Sequence, residues 1–382
     1  MKYDYIITGA GCAGLSLAFY LSKTDLGDRK VLLIEKTDKQ DNDRTWCFWQ
    51  SEASVFESIV HHTWDNLYFK SPSGEQLLDI APYQYKMIRG IDFYNYILKI
   101  LRQHPNFTIE KATVTGISNE NNHAKVRTQR QTFEGKYVFN SIIFKNINIQ
   151  KSNYVAQHFG GWVIETTDLE FNPNEATLMD FRIPQAGETR FMYCLPMSKN
   201  TALVEATAFS NNILTEAEYG EMIKDYLNNY LNIQNYTIQH KEMGVIPMTT
   251  YNFQQHHEKH IIQIGTMGGD VKSSTGYAFI RIQENAQKIA NALAKNQSPH
   301  LKISFFEQRF TYYDNILLNV MLKNRVPTHR VFHQLFQKNK ASTVLQFLYE
   351  KTNFLQELAV MNSVPIAPFV MAAFDEMLPK RT

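Results

Sequence analysis

Apolar and polar positions along this chain repeat at two periods, and the switches between them mark out its parts. Residues 2–8 read as a short β-run, a glycine-rich turn follows, and 15–22 carry the spacing of a helix. Residues 31–34 are a second apolar run, a buried strand that ends on Glu35. Two β-runs, 66–70 and 76–80, flank a Ser-Pro-Ser-Gly turn and predict a hairpin. Residues 87–102 have the period of an amphipathic helix, stopped by His104-Pro105. Residues 107–144 divide into four β-runs between Asn- and Gly-rich turns, which predicts a meander. From Ala156 the pattern is that of antiparallel sheet. Strands are expected at 161–166, 176–183, 190–195 and 201–209, then a helix at 216–230 and a strand at 236–245. A helix follows at 278–294, and beyond Pro299 the chain is helical and rich in aromatics.

The first turn reads Gly9-Ala10-Gly11-Cys12-Ala13-Gly14, set between a strand and a helix. This is a dinucleotide fingerprint in the context it needs. The first glycine allows the turn, the second lets a pyrophosphate approach the backbone, and the third lets helix pack on strand. Glu35, with Lys36 beside it, ends the next strand, where a carboxylate accepts from ribose hydroxyls. The second turn holds Gly265, Gly268, Gly269, Thr275 and Gly276 ahead of the helix at 278–294. Backbone N–H groups and a positive helix end again form an anion cradle. Two such turns far apart in sequence imply one large cofactor held from both sides. Cys12 and Ala13 lie inside the first loop, the cysteine as a small filler. Arg44 either reaches the cofactor phosphates or ribose, or forms a surface ion pair with Asp41 or Asp43. Val114 stands where a meander contacts an adenine.

These elements predict an α/β fold, α+β overall. A Rossmann-type domain with a β-meander takes 1–65, 89–148 and 255–298; an antiparallel-sheet substrate domain takes 66–88 and 149–254; 299–382 form a helical carboxy-terminal region. A net charge of +2 excludes the concentrated basic stripe of a nucleic-acid binder. Three cysteines at unrelated spacing fit reduced thiols, with neither a disulfide framework nor a metal site. No apolar run approaches the ~20 residues that span a bilayer, and the first strand begins at once, so no signal peptide is expected. The expected location is the cytoplasm.

One acid stands out. In 201–209, Leu203, Glu205, Thr207 and Phe209 share a face, while Val204, Ala206 and Ala208 share the other. Glu205 therefore sits in a strand that is apolar on both faces. Either it is a structural ion-pair partner of Arg182 or Arg190, or desolvation raises its pKa and makes it an acid near neutral pH. Between Leu301 and Glu350 seven Lys/Arg stand against three acids, among apolar clusters at 305–306, 316–318 and 345–348. That pattern belongs either to a basic amphipathic surface on an anionic membrane or to a helical cap with a solvated face.

Taken in order, Gly9 to Gly14, Asp43-Arg44-Thr45-Trp46, Met179-Asp180, Tyr193-Cys194-Leu195-Pro196, Leu203-Val204-Glu205-Ala206-Thr207 and Gly268-Gly269 leading to Ser274-Thr275-Gly276-Tyr277 resemble the bacterial lycopene β-cyclases. These are flavoproteins related to the hydroxybenzoate-hydroxylase type. The resemblance covers about residues 1–295. It implies FAD as cofactor, active in its reduced form, with NADPH or NADH as indirect reductant. It implies lycopene and related linear carotenoids as substrates, cyclised at ψ end groups to β-ionone rings without net oxidation. The partner surface it implies is a membrane, met peripherally. The family's catalytic acid falls on Glu205, and its second acid is Ala206 here. Its Pro before Ser-Thr-Gly-Tyr is Ser273, and its Asp-Gly strand end is Asn140-Ser141. A flavin monooxygenase of an aromatic or polyene substrate shares the glycine loops and stands as the alternative, with a carotenoid carrier as a third reading.

Overall fold

The computed structural model describes residues 2–143, 152–302 and 304–377, Phe305 by its backbone alone. Phe144, the predicted end of the meander, lies outside the described residues. Elements are numbered in chain order.

The first sheet is built on parallel strands β1 (Lys2–Thr8), β2 (Val31–Glu35), β8 (Phe107–Lys111), β11 (Thr132–Asn140) and β17 (Ile261–Gln263). Their order is β8-β2-β1-β11-β17, the doubly wound arrangement that the glycine fingerprint predicts. β9 (Val114–Asn119) and β10 (Ala124–Thr128) extend it antiparallel from β11. β11 thus has two partners along one edge: Thr132 to Gly135 pair with β10, and Val138 to Asn140 with β17. The meander consequently has three strands, not the four expected; Phe107–Lys111 pairs with β2 instead. Helices α1 (Cys12–Ser22), α2 (Gly90–Gln103) and α4 (Phe279–Ala294) cover one face and bury Leu15, Leu17, Phe19, Phe93, Ile97 and Ile289 against Ile7, Leu33 and Phe139.

The second sheet runs β16-β12-β15-β14-β13-β5-β6, from β16 (Tyr236–Thr249), β12 (Tyr154–Thr166), β15 (Thr201–Phe209), β14 (Thr189–Pro196), β13 (Glu175–Asp180), β5 (Asn66–Ser71) and β6 (Gly74–Asp79). Helix α3 (Glu216–Asn229), opened by a Thr215/Glu218 capping box, packs on one face. Trp162, Val204, Ala206 and Ala208 meet Tyr219, Ile223 and Tyr226 there. The opposite face, which carries Leu203, Glu205 and Thr207, looks toward the first sheet and the carboxy-terminal helices.

A small third sheet, β3 (Thr45–Gln50), β7 (Gln84–Arg89) and β4 (His62–Trp64), bridges the two. It corrects the helix expected at 87–102. Met87 to Arg89 are strand, because β3 and β4 bond to both edges of β7, and the helix begins at Gly90. Local period cannot see that pairing.

Helices α5 (Phe305–Leu322), α6 (Thr328–Lys338), α7 (Ala341–Leu348), α8 (Phe354–Ser363) and α9 (Ile366–Met377) finish the chain. Two of the apolar clusters among the bases are core, as in a helical cap: Leu318 and Leu345 are wholly buried, and Leu317, Phe347 and Leu348 pack against the second sheet's core. The exposed large apolar side chains of these helices are Phe306 and Leu322 on α5, Phe354, Leu355 and Leu358 on α8, and Ile366, Val370, Met371, Phe374 and Met377 on α9. Among the described residues no single helix is long and apolar enough to cross a membrane; α8 and α9 together reach that length only as a pair bent by 117°.

Candidate active site

The carboxyl ends of β1, β11 and β17 open onto a cavity of about 490 Å³. In sheets of this order ligands bind at that end, where loops diverge and a helix N-terminus points inward. The loop after β1 contributes Gly11, Cys12 and Ala13, the loop after β11 Ser141 and Ile143, and the loop after β17 Gly265, Thr266, Thr275 and Gly276. The facing wall is the second sheet, with Gln157, Phe159, Tyr193, Leu195, Leu203, Glu205 and Glu242. Arg44, Thr45, Trp46, Cys47 and Tyr85 of the third sheet and its approach complete the lining. The two glycine loops and Glu205, distant in sequence, thus share one chamber.

Buried amides tie the strand ends together. Asn140 accepts from the Thr8 hydroxyl at 2.8 Å and donates to the Gln263 amide oxygen at 2.7 Å, linking β1, β11 and β17. That task needs a donor and an acceptor on one side chain, which asparagine has and a carboxylate lacks. Ser273 donates to the Thr249 carbonyl at 2.7 Å and so pins the second loop to the end of β16. Lys272 in the same loop is buried against Asp314 at 2.6 Å and Glu350 at 2.9 Å. Two carboxylates offset the cost of burying that ammonium.

The glycines divide by function. A Cβ on Gly14 would lie 1.9 Å from the Gly9 carbonyl oxygen, so α1 crosses the loop this closely only with glycine there. A Cβ on Gly11 would meet no protein atom within 4 Å. The space beside Gly11 is therefore open to something other than protein. Gly276 sits at φ +76°, in the left-handed region, against the side chain of Gln157. The Gln157 Oε1 is buried with no hydrogen-bond partner among the described residues, on the cavity wall, and suits a ligand that brings a donor. An inward helix end, a gap at Gly11 and this idle acceptor fit a bound dinucleotide.

The other candidates take up distinct positions. Glu35 stands beside the first loop, where its Oε2 accepts from the Ala10 N–H at 2.7 Å. Lys36 is exposed next to it, and Val114 is half-buried at the start of β9. Neither Glu35, Lys36 nor Val114 borders the 490 Å³ cavity, and Gly9 and Gly14 lie behind its wall. Gly268 and Gly269 border a second cavity of about 720 Å³, between the second loop and the carboxy-terminal helices. Arg44 donates to the Asp43 carbonyl at 2.6 Å, whereas the Asp43 carboxylate takes the Tyr94 hydroxyl and Lys39. The Cys12 thiol is buried and its pKa is driven far up by desolvation, which suits a filler.

Both arginines that could have paired with Glu205 are engaged elsewhere, Arg182 with Asp180 and Arg190 with Glu188. Burial, then repulsion from Glu242, push the Glu205 carboxyl up to about 8, against the opposing hydrogen bond from the Thr207 hydroxyl at 3.0 Å. Both causes favour its protonated, neutral form. Glu242 is 8% exposed and its pKa is also raised by burial, while the Thr45 hydroxyl at 2.8 Å, His240 and Arg44 favour its charge. The sequence does not mark Glu242, which sits in His240-Lys241-Glu242-Met243, a stretch that looks solvated. Only the register shows its place: Glu205 and Glu242 both pair with Gly161, from opposite edges of β12.

A family model described as "Lycopene cyclase protein" matches residues 4–374. The chain is 23% identical over 393 residues to a lycopene beta-cyclase of Pantoea ananas, with 98% of each chain covered. It is 24% identical over 314 residues to a chloroplastic neoxanthin synthase of Solanum tuberosum, over 77% of this chain and 61% of that one. A solved flavoprotein/dehydrogenase from Cytophaga hutchinsonii superposes with a TM-score of 0.66 over 99% of both chains at 11% identity, a likeness of fold.

Proposed function

The chain belongs to the lycopene cyclase family, and on that footing we propose that it closes the ψ end groups of lycopene and related linear carotenoids into β-ionone rings. The reaction is initiated by acid and involves no net redox change. One observation carries this reading: the carboxyl of Glu205, on a strand otherwise apolar on both faces, lines the same chamber as both glycine loops, and burial favours its protonated form. Glu205 gives its proton to the terminal alkene. Trp46, Tyr193 and Tyr277 border the cavity, and aromatic rings favour the cation that follows.

FAD is the cofactor proposed, with Gly11, Cys12 and Ala13 at its pyrophosphate, Glu35 and Lys36 at the adenosine ribose, Val114 near the adenine, and Gly265, Gly268, Gly269, Thr275 and Gly276 on the second side. Arg44 faces it from the approach to β3. Once bound and reduced by NADPH or NADH through an intermediary, it would supply negative charge that favours the developing cation. We assign residues 1–65, 89–148 and 255–298 to its domain, 66–88 and 149–254 to a substrate domain, and 299–382 to a helical region.

Expression in a lycopene-accumulating host, followed by pigment analysis, tests the function, and cyclic carotene is the expected product. Purified enzyme with reduced flavin should work without oxygen, whereas a monooxygenase would stop. Unchanged lycopene in both assays overturns the reading.

A substrate as apolar as lycopene is drawn from a bilayer, so we propose a peripheral seat on the cytoplasmic side of a membrane. The exposed faces of α8 and α9 support this, with Leu355 at 77% and Phe374 at 64% exposure, together with the excess of bases between 301 and 350. The protein should float with anionic vesicles at low salt and less so at high salt, where the bases are screened. Leu355→Glu with Phe374→Glu should reduce flotation without loss of flavin. Protein that stays at the bottom of the gradient in every condition counts against a membrane seat.

A further inference from the structure

Cyclisation needs a proton given and a proton taken, and Glu205 accounts for the first alone. The family's usual second acid would fall on Ala206, but alternation places that position on the opposite face of β15, packed under α3 among Trp162 and Tyr219. A carboxyl there would be cut off from the chamber. The second carboxyl of the chamber comes from another strand. Glu205 on β15 and Glu242 on β16 flank β12, and both are in register with Gly161. Because that position is glycine, β12 itself puts no side chain between them; a Cβ there would lie 3.1 Å from the Leu203 Cδ1 and 3.3 Å from the Glu205 Cβ.

We propose that Glu242 is the catalytic base that removes the last proton after ring closure. This rests on the reading of the protein as a lycopene cyclase. The Glu205 proton forms a C–H bond at one carbon of the terminal alkene. The electron pair of the second alkene forms the ring C–C bond and leaves a ring carbocation. A neighbouring C–H bond then breaks, its electron pair becomes the ring alkene, and Glu242 takes the proton. No electrons are gained or lost. Release of that proton from Glu242 to solvent and uptake of one by Glu205 restore the starting state.

The surroundings divide the two roles. Repulsion between the two carboxylates disfavours double ionisation and favours the pair with one proton. Arg44 and His240 face Glu242 and favour its carboxylate. Around Glu205 stand Cys47, Tyr85, Tyr193 and Tyr277, whose ionisation burial opposes. Those groups stay neutral and are poor bases. His240 does not border the cavity, and its Nε2 lies 2.9 Å from the Asn42 carbonyl. The Thr207 hydroxyl engages one oxygen of Glu205 and the Thr45 hydroxyl one of Glu242. Among the described residues no hydrogen bond engages the other oxygen of either.

The test compares wild type, Glu242→Gln and Glu242→Asp as flavin-loaded proteins, anaerobically, from pH 5 to 9. Glu242→Gln should hold flavin and lose at least ~10²-fold in β-ring formation at every pH, and Glu242→Asp should restore part of it. If Glu242 only kept Glu205 protonated, its removal would lower the Glu205 pKa, and acidification would restore the rate of Glu242→Gln. Such recovery, or an unchanged rate, overturns the proposal. The wild-type profile is an independent measure should Glu242→Gln fold poorly: a base must be ionised, so the rate should fall on the acid side too. A rate that stays flat to pH 5 overturns the proposal. A wild type that forms no ring overturns the cyclase reading as well, whereas an active wild type beside an equally active Glu242→Gln overturns the base alone.

Discussion

Glu205→Gln should cut ring formation at least ~10²-fold and leave FAD bound. Glutamine keeps the size of the side chain and an acceptor for the Thr207 hydroxyl, but it has no acidic proton to give. The flavin contacts proposed lie on loops across the chamber, so flavin content should match wild type. The pH dependence follows from the same environment. Activity of wild type should fall as pH rises through about 8, where Glu205 loses its proton. Stability should move in the same direction. Below the ordinary value of 4.5 the folded and unfolded chains both carry this proton, and the group contributes no difference. Between 4.5 and about 8 the unfolded chain ionises and the folded one does not, so folding loses stability as pH rises. Glu205→Gln removes that loss, and its melting temperature at pH 9 should equal or exceed that of wild type. A folded, flavin-loaded Gln variant that still makes cyclic carotene at near the normal rate rules Glu205 out as the acid.

The second large effect concerns the cofactor. Gly11→Val should abolish flavin binding while the polypeptide stays folded. A Cβ at Gly11 meets nothing within 4 Å, so the protein itself has room for the new side chain; the pyrophosphate does not. Gly11 has φ −81° and ψ −168°, ordinary extended backbone, and it serves as N-cap of α1 without a side-chain bond. Valine there costs about 1 kcal/mol or less through weaker capping. Gly14→Val is the instructive contrast, because its Cβ would collide with the Gly9 carbonyl oxygen and disrupt the domain. Cofactor released by denaturation and identified by chromatography, alongside thermal unfolding of each apoprotein, separates the two outcomes. FMN or no flavin from wild type removes the basis for FAD; a Gly11→Val protein that still carries FAD removes the proposed pyrophosphate position.

Much of the chamber was open to a reading of short stretches. The first glycine loop, its flanking strands and Glu35 follow from local geometry, since a tight turn between strand and helix demands glycine wherever it occurs. Glu205 stood out for a similar reason. A strand apolar on both faces has no ordinary place for an acid, and alternation alone assigns the face. The helix expected at 87–102 failed because period describes only which residues are apolar. Met87 and Ile88 fit either element until β3 and β4 claim both edges of β7. The carboxy-terminal helices illustrate the same limit from the other side. Leu318 and Leu345 are core and Phe374 is exposed, which depends on what each face meets and not on its own residues.

The chain by itself therefore determined the parts whose physics is local: the strand–glycine–helix units, the fold class, and an acid in the wrong surroundings. Tertiary structure decided which distant parts share a space. It placed both loops and Glu205 around one cavity, aligned Glu242 with Glu205 through the register of β12, and left glycine between them. Strand register is set by hydrogen bonds and packing between segments far apart in sequence, and a carboxyl has a neighbour only once that register exists.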